Sequence, residues 1–98
     1  MNQKDILKLL LHTVESMNES GVFNSPILVK KRTNIYGKDS SLDSLGFINL
    51  LVSFEDQISR KFEYNIDLFD ELSQSSSDQF NLEELAKLVF DKIFKENN

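Results

Sequence analysis

The hydroxyl of Ser44 has the clearest chemical potential in this sequence, because it follows Asp43 at the start of an apolar helical pattern. Asp43 is a favourable N-cap, since its carboxylate can accept hydrogen bonds from the free backbone N–H groups of the first turn. Leu42 and Phe47 have the spacing of a hydrophobic staple around that cap. Ser44 then takes the first helical position, where its hydroxyl projects into solvent. A phosphate ester on this serine would lie at the positive end of the helix dipole, a contribution of about 0.3–1 kcal/mol at an exposed site.

The remaining residue types offer little for catalysis. His12 is the one histidine, with no evident serine or metal-ligand partner in the sequence, and the chain has no cysteine. Glu55 and Asp56 are adjacent, so their carboxylates would point apart on a helix and make a poor acid–base pair. The acidic residues between 67 and 78 lack the spacing of a calcium loop. We therefore predict no catalytic residues and no metal site.

Three long amphipathic patterns and one short one provide the elements that would position Ser44. We predict helices from about residue 2 to 18, from 44 to about 60, and from Asn81 onward, with a short helix at 67–72. Asn2 caps the first helix, and Asn81 with Glu84 forms a capping box for the last. The apolar positions at helical spacing predict the core: Ile6, Leu7, Leu10, Val14, Met17, Phe47, Leu50, Leu51, Phe54, Ile58, Leu82, Leu85, Ala86, Val89 and Ile93.

The Asp-Ser-Leu tripeptide at 43–45, followed by Gly46 and an apolar run to Glu55, resembles the acyl carrier protein family of phosphopantetheine-attachment domains. The tripeptide opens a predicted helix near the middle of the chain. A Phe-Glu pair follows ten residues after Ser44, much as a Leu-Glu pair does in the family. The likeness covers roughly residues 35–93 and implies an all-α four-helix bundle of acyl carrier type, with three main helices, one short helix and a long first loop.

The resemblance implies that Ser44 receives a 4′-phosphopantetheine arm from coenzyme A, and that the arm's thiol holds acyl or aminoacyl groups as thioesters. Asp43 and Leu45 would belong to the attachment site. The residues that would meet partner enzymes are Leu45, Ile48, Val52, Glu55 and Asp56. The implied partners are a phosphopantetheinyl transferase, an acyl- or aminoacyl-loading ligase and acyl-accepting enzymes. Gly46 and Asn49 stand where fatty-acid-synthesis carriers often have acidic residues, so the second helix is less acidic than in those proteins.

The connection from about residue 21 to 43 exceeds the roughly 12–15 residues above which a structureless loop is uncommon in a compact domain. Its apolar residues are expected to attach it to the core: Phe23, Ile27, Leu28, Val29, Ile35, Tyr36 and Leu42. A short helical turn is expected after Pro26. The basic run Lys30-Lys31-Arg32 has two interpretations. It could contact an acidic partner or the phosphates of coenzyme A, or it could be a solvated loop segment. We favour the solvated segment.

Length, charge and hydropathy limit the possible domain count, ligands, location and oligomeric state. The 98 residues are predicted to form a single domain, 1–98. A net charge of −5 argues against binding to nucleic acid, whose phosphates would be repelled. The apolar stretch from Ile6 to Leu11 is too short to span a membrane, and the first residues lack the layout of a signal peptide, so we expect a cytoplasmic protein. No long heptad pattern appears, so we expect a monomer.

Two alternatives to a non-enzymatic carrier stay open from the sequence. The same amphipathic helices could form a protein–protein interaction domain without a covalent group, in which Ser44 is an ordinary serine at the start of a helix. A small enzyme is the third possibility, for which the chain offers few suitable side chains. Whether an acyl chain could be sheltered between the helices also stays open, because phenylalanines could fill that space.

Overall fold

The computed structural model describes residues 2–75 and 77–97. Within them the chain forms four helices and two short strands: α1 (Gln3–Ser20), β1 (Asn34–Tyr36), α2 (Ser44–Phe62), α3 (Leu68–Ser73), β2 (Phe80–Asn81) and α4 (Leu82–Asn97). Helix α1 packs mainly against α4 and also against α2, while the strands pair antiparallel. The molecule is therefore mostly helical, with one β-ribbon that the all-α expectation did not include.

The predicted helix starts are confirmed by their caps. Asn2 and Asp5 form a reciprocal capping box at the start of α1, with both hydrogen bonds at 3.0 Å. At the start of α4, the Glu84 N–H donates to Asn81 Oδ1 at 2.8 Å, and the Asn81 N–H donates to Glu84 Oε1 at 3.0 Å. Gly21 ends α1 in the left-handed conformation, with φ of 71°. Local side-chain chemistry thus fixes these helix ends.

The predicted core is confirmed, apart from two positions that are only partly buried, Leu7 and Phe47. The side chains with no exposed surface include Ile6, Leu10, Val14, Leu50, Leu51, Phe54, Ile58, Leu82, Leu85, Ala86 and Val89. Burial of this apolar surface is the main favourable contribution to folding. Among the described residues, no helix combines the length and the apolar composition needed to cross a bilayer.

The connection between α1 and α2 departs from prediction in two ways. No helix follows Pro26, and the Asn18 side chain instead binds both the N–H and the carbonyl of Ile27. Leu28 is 66% exposed, so the prediction that it attaches the connection to the core was wrong. Tyr36 is 44% exposed, but its ring packs against the buried core residue Phe80 and the partly buried Phe47.

The β-ribbon ties this connection to the beginning of α4. Tyr36 pairs with Phe80 in the ribbon, and the Leu82 N–H donates to the Thr33 carbonyl at 3.1 Å. Gly37 has φ of 91°, and its α-carbon lies so close to the Asp78 carbonyl that a β-carbon would clash. The ribbon thereby fixes the segment that leads into α2.

Candidate functional site

The start of α2 presents Ser44 on a firmly capped helix end. Asp43 is the N-cap, as predicted, and its Oδ1 accepts a hydrogen bond from the Gly46 N–H at 2.7 Å. Its Oδ2 accepts a second hydrogen bond, from the Asn24 side-chain amide at 2.6 Å. Ser44 is exposed, and its hydroxyl has no hydrogen-bond partner among the described residues. The hydroxyl is therefore available for reaction.

Gly46 allows the chain to close tightly around this cap. A β-carbon there would lie 3.1 Å from Asp43 Oδ1 and 3.4 Å from a methyl carbon of Leu42. It would also lie 3.5 Å from the buried ring of Phe23. The loop that carries Phe23 and Asn24 is thus part of the site, although nothing local in the sequence indicated that Asn24 would reach Asp43.

Two nearby serines differ from Ser44 in their surroundings. The Ser40 hydroxyl donates to the Leu42 carbonyl at 2.9 Å and accepts from the Leu42 N–H at 3.0 Å. Ser41 is exposed in the loop before the cap, and its backbone N–H donates to the Asn34 carbonyl. Of the three, Ser44 alone combines an exposed, unpaired hydroxyl with a position at the end of a helix.

A groove of 820 Å³ lies beside Ser44, between β1, the first turns of α2 and α3. The Tyr36 ring forms part of one wall, with its centroid 4.8 Å from that of Phe47 and 5.8 Å from that of Phe80. Phe69 of α3, which is 44% exposed, lines the same groove. An apolar group attached through Ser44 would find aromatic surface next to its point of attachment. No sequence pattern indicated Phe69, because its exposure depends on how α3 packs.

The predicted partner-binding residues fall into two groups. Leu45, Ile48 and Val52 share one side of α2 and are 66%, 41% and 54% exposed. The two acids have partners within the chain. Glu55 Oε2 accepts a hydrogen bond from the Leu68 N–H at 2.7 Å, and Asp56 Oδ2 lies 3.1 Å from Arg60 Nε. The structure thus brings together the apolar members of the predicted face and gives each acid an internal contact.

The other candidate residues lie elsewhere. His12 is exposed on α1, beside a smaller groove between α1 and α2. In the basic run, Lys31 Nζ lies 3.8 Å from Glu83 Oε2, and Lys30 and Arg32 are exposed. In the part of the chain that the structure describes, no three His, Cys, Asp or Glu side chains are grouped to hold a metal ion.

Comparison with protein-family models, curated proteins and solved structures finds no match to this chain. The arrangement combines an accessible hydroxyl, a helix N-terminus and an apolar groove, and it lacks a base in hydrogen-bond contact with Ser44 among the described residues. A serine hydroxyl without an adjacent base is a weak nucleophile at neutral pH.

Proposed function

We propose that this protein is a cytoplasmic, monomeric carrier with the acyl carrier fold, and that Ser44 bears a 4′-phosphopantetheine arm. The arm would hold acyl or aminoacyl groups as thioesters and deliver them to partner enzymes. The observation that carries the proposal is the exposed, unpaired hydroxyl of Ser44 at the first position of α2. The Asp-Ser-Leu tripeptide at 43–45 supports it through the family resemblance.

The surroundings of Ser44 suit a phosphodiester. The backbone N–H groups of the first turn of α2 favour a negative charge at that helix end, and Asp43 uses its carboxylate for the cap and for Asn24. The groove offers apolar and aromatic surface to a flexible arm and its cargo. In this proposal the chain catalyses nothing itself. A phosphopantetheinyl transferase would attach the arm, a ligase would load it, and further enzymes would accept the acyl or aminoacyl group.

One observation favours a second candidate function. Leu45 and Val52 remain largely exposed on α2, as expected for a surface that binds another protein. An interaction domain without a covalent group would use the same surface and would leave Ser44 unmodified. Modification of Ser44 therefore discriminates between the two functions.

The test is the intact mass of the protein after incubation with coenzyme A and a broad-specificity phosphopantetheinyl transferase. We expect the wild type to gain the mass of one phosphopantetheine and Ser44→Ala to gain none. Ser41→Ala is the matched control, since it removes an exposed serine three residues away, and it should be modified like the wild type.

Other outcomes would contradict the proposal. Modification of Ser44→Ala, with loss of modification in Ser41→Ala, would move the attachment site into the loop before α2. An unmodified wild type, alongside a known carrier that is modified in the same reaction, would favour the interaction domain.

A further inference from the structure

The basic run before β1 is held in a fixed turn against the start of α4. Thr33 closes the turn, because its N–H donates to the Lys30 carbonyl at 3.0 Å and its hydroxyl donates to the Leu28 carbonyl at 2.9 Å. The Lys31 carbonyl accepts from the Glu83 N–H at 2.8 Å, which attaches the turn to α4. The cations therefore stand on an ordered backbone, so less conformational entropy is lost when they bind a charged surface.

The turn places an exposed leucine beside unpaired cations. Lys30 and Arg32 are exposed, and neither has an ion pair among the described residues. Lys31 has one long contact, in which its Nζ lies 3.8 Å from Glu83 Oε2. Leu28, two residues before Lys30, is 66% exposed.

A row of side chains along α4 continues from this turn. The row has the i, i+4, i+7, i+11 spacing that places residues on one side of a helix, and it consists of Glu83, Lys87, Phe90 and Phe94. Lys87 is exposed, Phe94 is 53% exposed, and the Phe90 and Phe94 rings stack with their centroids 5.8 Å apart. Lys92 projects from the opposite side of α4, where it pairs with Glu71 of α3. The row therefore faces away from α3.

The turn and the row form one surface, which we call the basic–aromatic surface and define as Leu28, Lys30, Arg32, Lys87, Phe90 and Phe94. The charges of the chain are divided unequally around it. Residues 39–78, which include α2 and α3, have nine acidic and two basic residues. The rest of the chain has seven acidic and nine basic residues. The excess of negative charge thus belongs to the part with α2 and α3, and the part with the basic–aromatic surface has a small excess of positive charge.

The spacing of the apolar side chains favours a lipid surface over a protein as the partner. Leu28 adjoins Lys30 in the turn, whereas Phe94 lies eleven residues beyond Glu83, about 16 Å along the axis of α4. Protein interfaces concentrate their apolar contacts in one desolvated centre. The interface of a bilayer can take up separate apolar side chains while its anionic headgroups attract the cations between them.

The acidic residues of α2 and α3 do not prevent contact with an anionic surface. The molecule measures 39 × 28 × 19 Å. At physiological ionic strength, exposed charges are screened over about 8 Å, which is less than the smallest of these dimensions. Charges on the side of α3 are therefore screened from a surface that the row contacts.

We propose that the basic–aromatic surface binds the anionic surface of a lipid bilayer. Its apolar side chains would enter the headgroup region, and its cations would lie against lipid phosphates. This orientation keeps α3, which lines the groove beside Ser44, on the side away from the bilayer. The binding does not require modification of Ser44, so it is a property separate from the proposed carrier function.

The test is co-sedimentation of the protein with vesicles of phosphatidylcholine alone and of equal parts phosphatidylcholine and phosphatidylglycerol. We expect binding to the anionic vesicles only, and added salt should weaken it. Each cation at an anionic surface raises the partition coefficient about fivefold, so Lys30→Gln combined with Arg32→Gln should lower it by about tenfold or more.

Lys38→Gln combined with Lys61→Gln is the matched control. It removes two exposed cations outside the basic–aromatic surface and changes the net charge by the same amount. It should lower the partition coefficient by less than about twofold, because screening limits the effect of distant charges. Thermal unfolding of every variant checks that the fold is retained.

Tryptophan fluorescence tests the apolar side chains, because the chain has no tryptophan of its own. In Leu28→Trp and Phe94→Trp, anionic vesicles should shift the emission maximum to shorter wavelength as the indole leaves water. Leu45→Trp should show no shift, although Leu45 is 66% exposed like Leu28, because it lies on α2. Ser44→Ala should bind the vesicles like the wild type, which separates this property from the carrier function.

Three results would overturn the inference. The first is absence of binding to either kind of vesicle, which would leave the mass test of Ser44 unaffected. The second is equal binding to neutral and anionic vesicles, or an equal loss in the two double variants, since neither fits attraction at this surface. The third is binding of a synthetic peptide of alternating glutamate and leucine, lost in Lys30→Gln with Arg32→Gln, by a protein that does not bind vesicles. In that case the partner would be an acidic protein segment.

Discussion

The two carboxylate oxygens of Asp43 have different partners, one in its own helix and one in a distant loop. Oδ1 caps α2 through the Gly46 N–H, and Oδ2 accepts from Asn24, 19 residues earlier in the chain. A hydrogen bond to a carboxylate is stronger than a neutral one, and at this exposed site we expect it to contribute about 1 kcal/mol. Asn24 therefore fixes the cap that positions Ser44.

Replacement of Asn24 tests this contact. Asn24→Ala should lower the free energy of unfolding by about 1 kcal/mol, and Asn24→Asp should lower it further, because two carboxylates would then face each other. Urea unfolding measures both losses. Ser25→Ala, at an exposed neighbouring position, should be close to neutral. Equal stability of Asn24→Ala and Asn24→Asp would show that the 2.6 Å contact does not persist in solution.

At the scale of the element, α3 depends on contacts from outside it. A helix of six residues is too short to be stable alone. Leu68 is fully buried, the Leu68 N–H donates to Glu55, and Glu71 pairs with Lys92 of α4 at 3.1 Å. Because α3 carries Phe69, the contact made by Glu55 helps to hold one wall of the groove beside Ser44.

Glu55→Ala should loosen α3 while leaving the rest of the fold intact. We expect the amide protons of α3 to exchange with solvent at least about tenfold faster, measured by NMR, because Leu68 loses its hydrogen-bond acceptor. Amide protons in the middle of α1 should keep their protection. Glu55→Gln keeps an acceptor oxygen and should remain close to the wild type. Equal exchange in the two variants would mean that Glu55 does not hold α3.

The sequence predicted the elements whose signals are local. The Asp43 cap, the box formed by Asn81 and Glu84, and the buried sides of the helices all follow from residues within a few positions of one another. Contacts that join distant segments were missed. Strands β1 and β2 have three and two residues, too few for a periodic pattern, and they meet only because the chain folds.

The candidate site shows the same division between local and tertiary information. Ser44 and the exposed residues Leu45 and Val52 could be selected from a tripeptide and a helical spacing. The contact of Glu55 with α3 could not be predicted from the sequence, because its partner is a backbone N–H thirteen residues away. A carboxylate on a predicted helix carries no signal that distinguishes a structural acceptor from a docking residue. The groove also depends on tertiary packing, since its walls come from β1, α2 and α3.

At the scale of the whole molecule, the β-ribbon joins the first connection to the C-terminal helix. The Thr33 and Lys31 carbonyls accept from the first two N–H groups of α4, at 3.1 and 2.8 Å. These bonds satisfy donors that a helix start leaves free. Through Tyr36 and Phe80 the ribbon also supplies aromatic surface to the groove. Closure of the ribbon therefore connects the stability of the fold with the shape of the candidate site.

Gly37 and Gly21 offer a matched test of that closure. Both have positive φ, 91° and 71°, so alanine is strained at either position. A β-carbon at Gly21 meets nothing within 4 Å, whereas at Gly37 it meets the Asp78 carbonyl and lies 3.0 Å from Gln79 Cγ. Gly21→Ala should lower the free energy of unfolding by about 1–2 kcal/mol. Gly37→Ala should cost about 1–3 kcal/mol more, because the backbone around residue 78 must move and the ribbon must open.

The measurement is the midpoint of urea unfolding for each variant. A shift of the midpoint reports a change in stability only if the m-value is unchanged, because the m-value reflects the surface exposed on unfolding. If the ribbon forms as described, Gly37→Ala should also alter the ring-proton chemical shifts of Tyr36 and Phe80, and Gly21→Ala should not, because Gly21 lies at the end of α1 and outside the groove. Equal losses of stability in the two variants would mean that the segment around Asp78 can move away from the new β-carbon without lowering the free energy of unfolding. In that case the ribbon would not contribute to holding the groove beside Ser44.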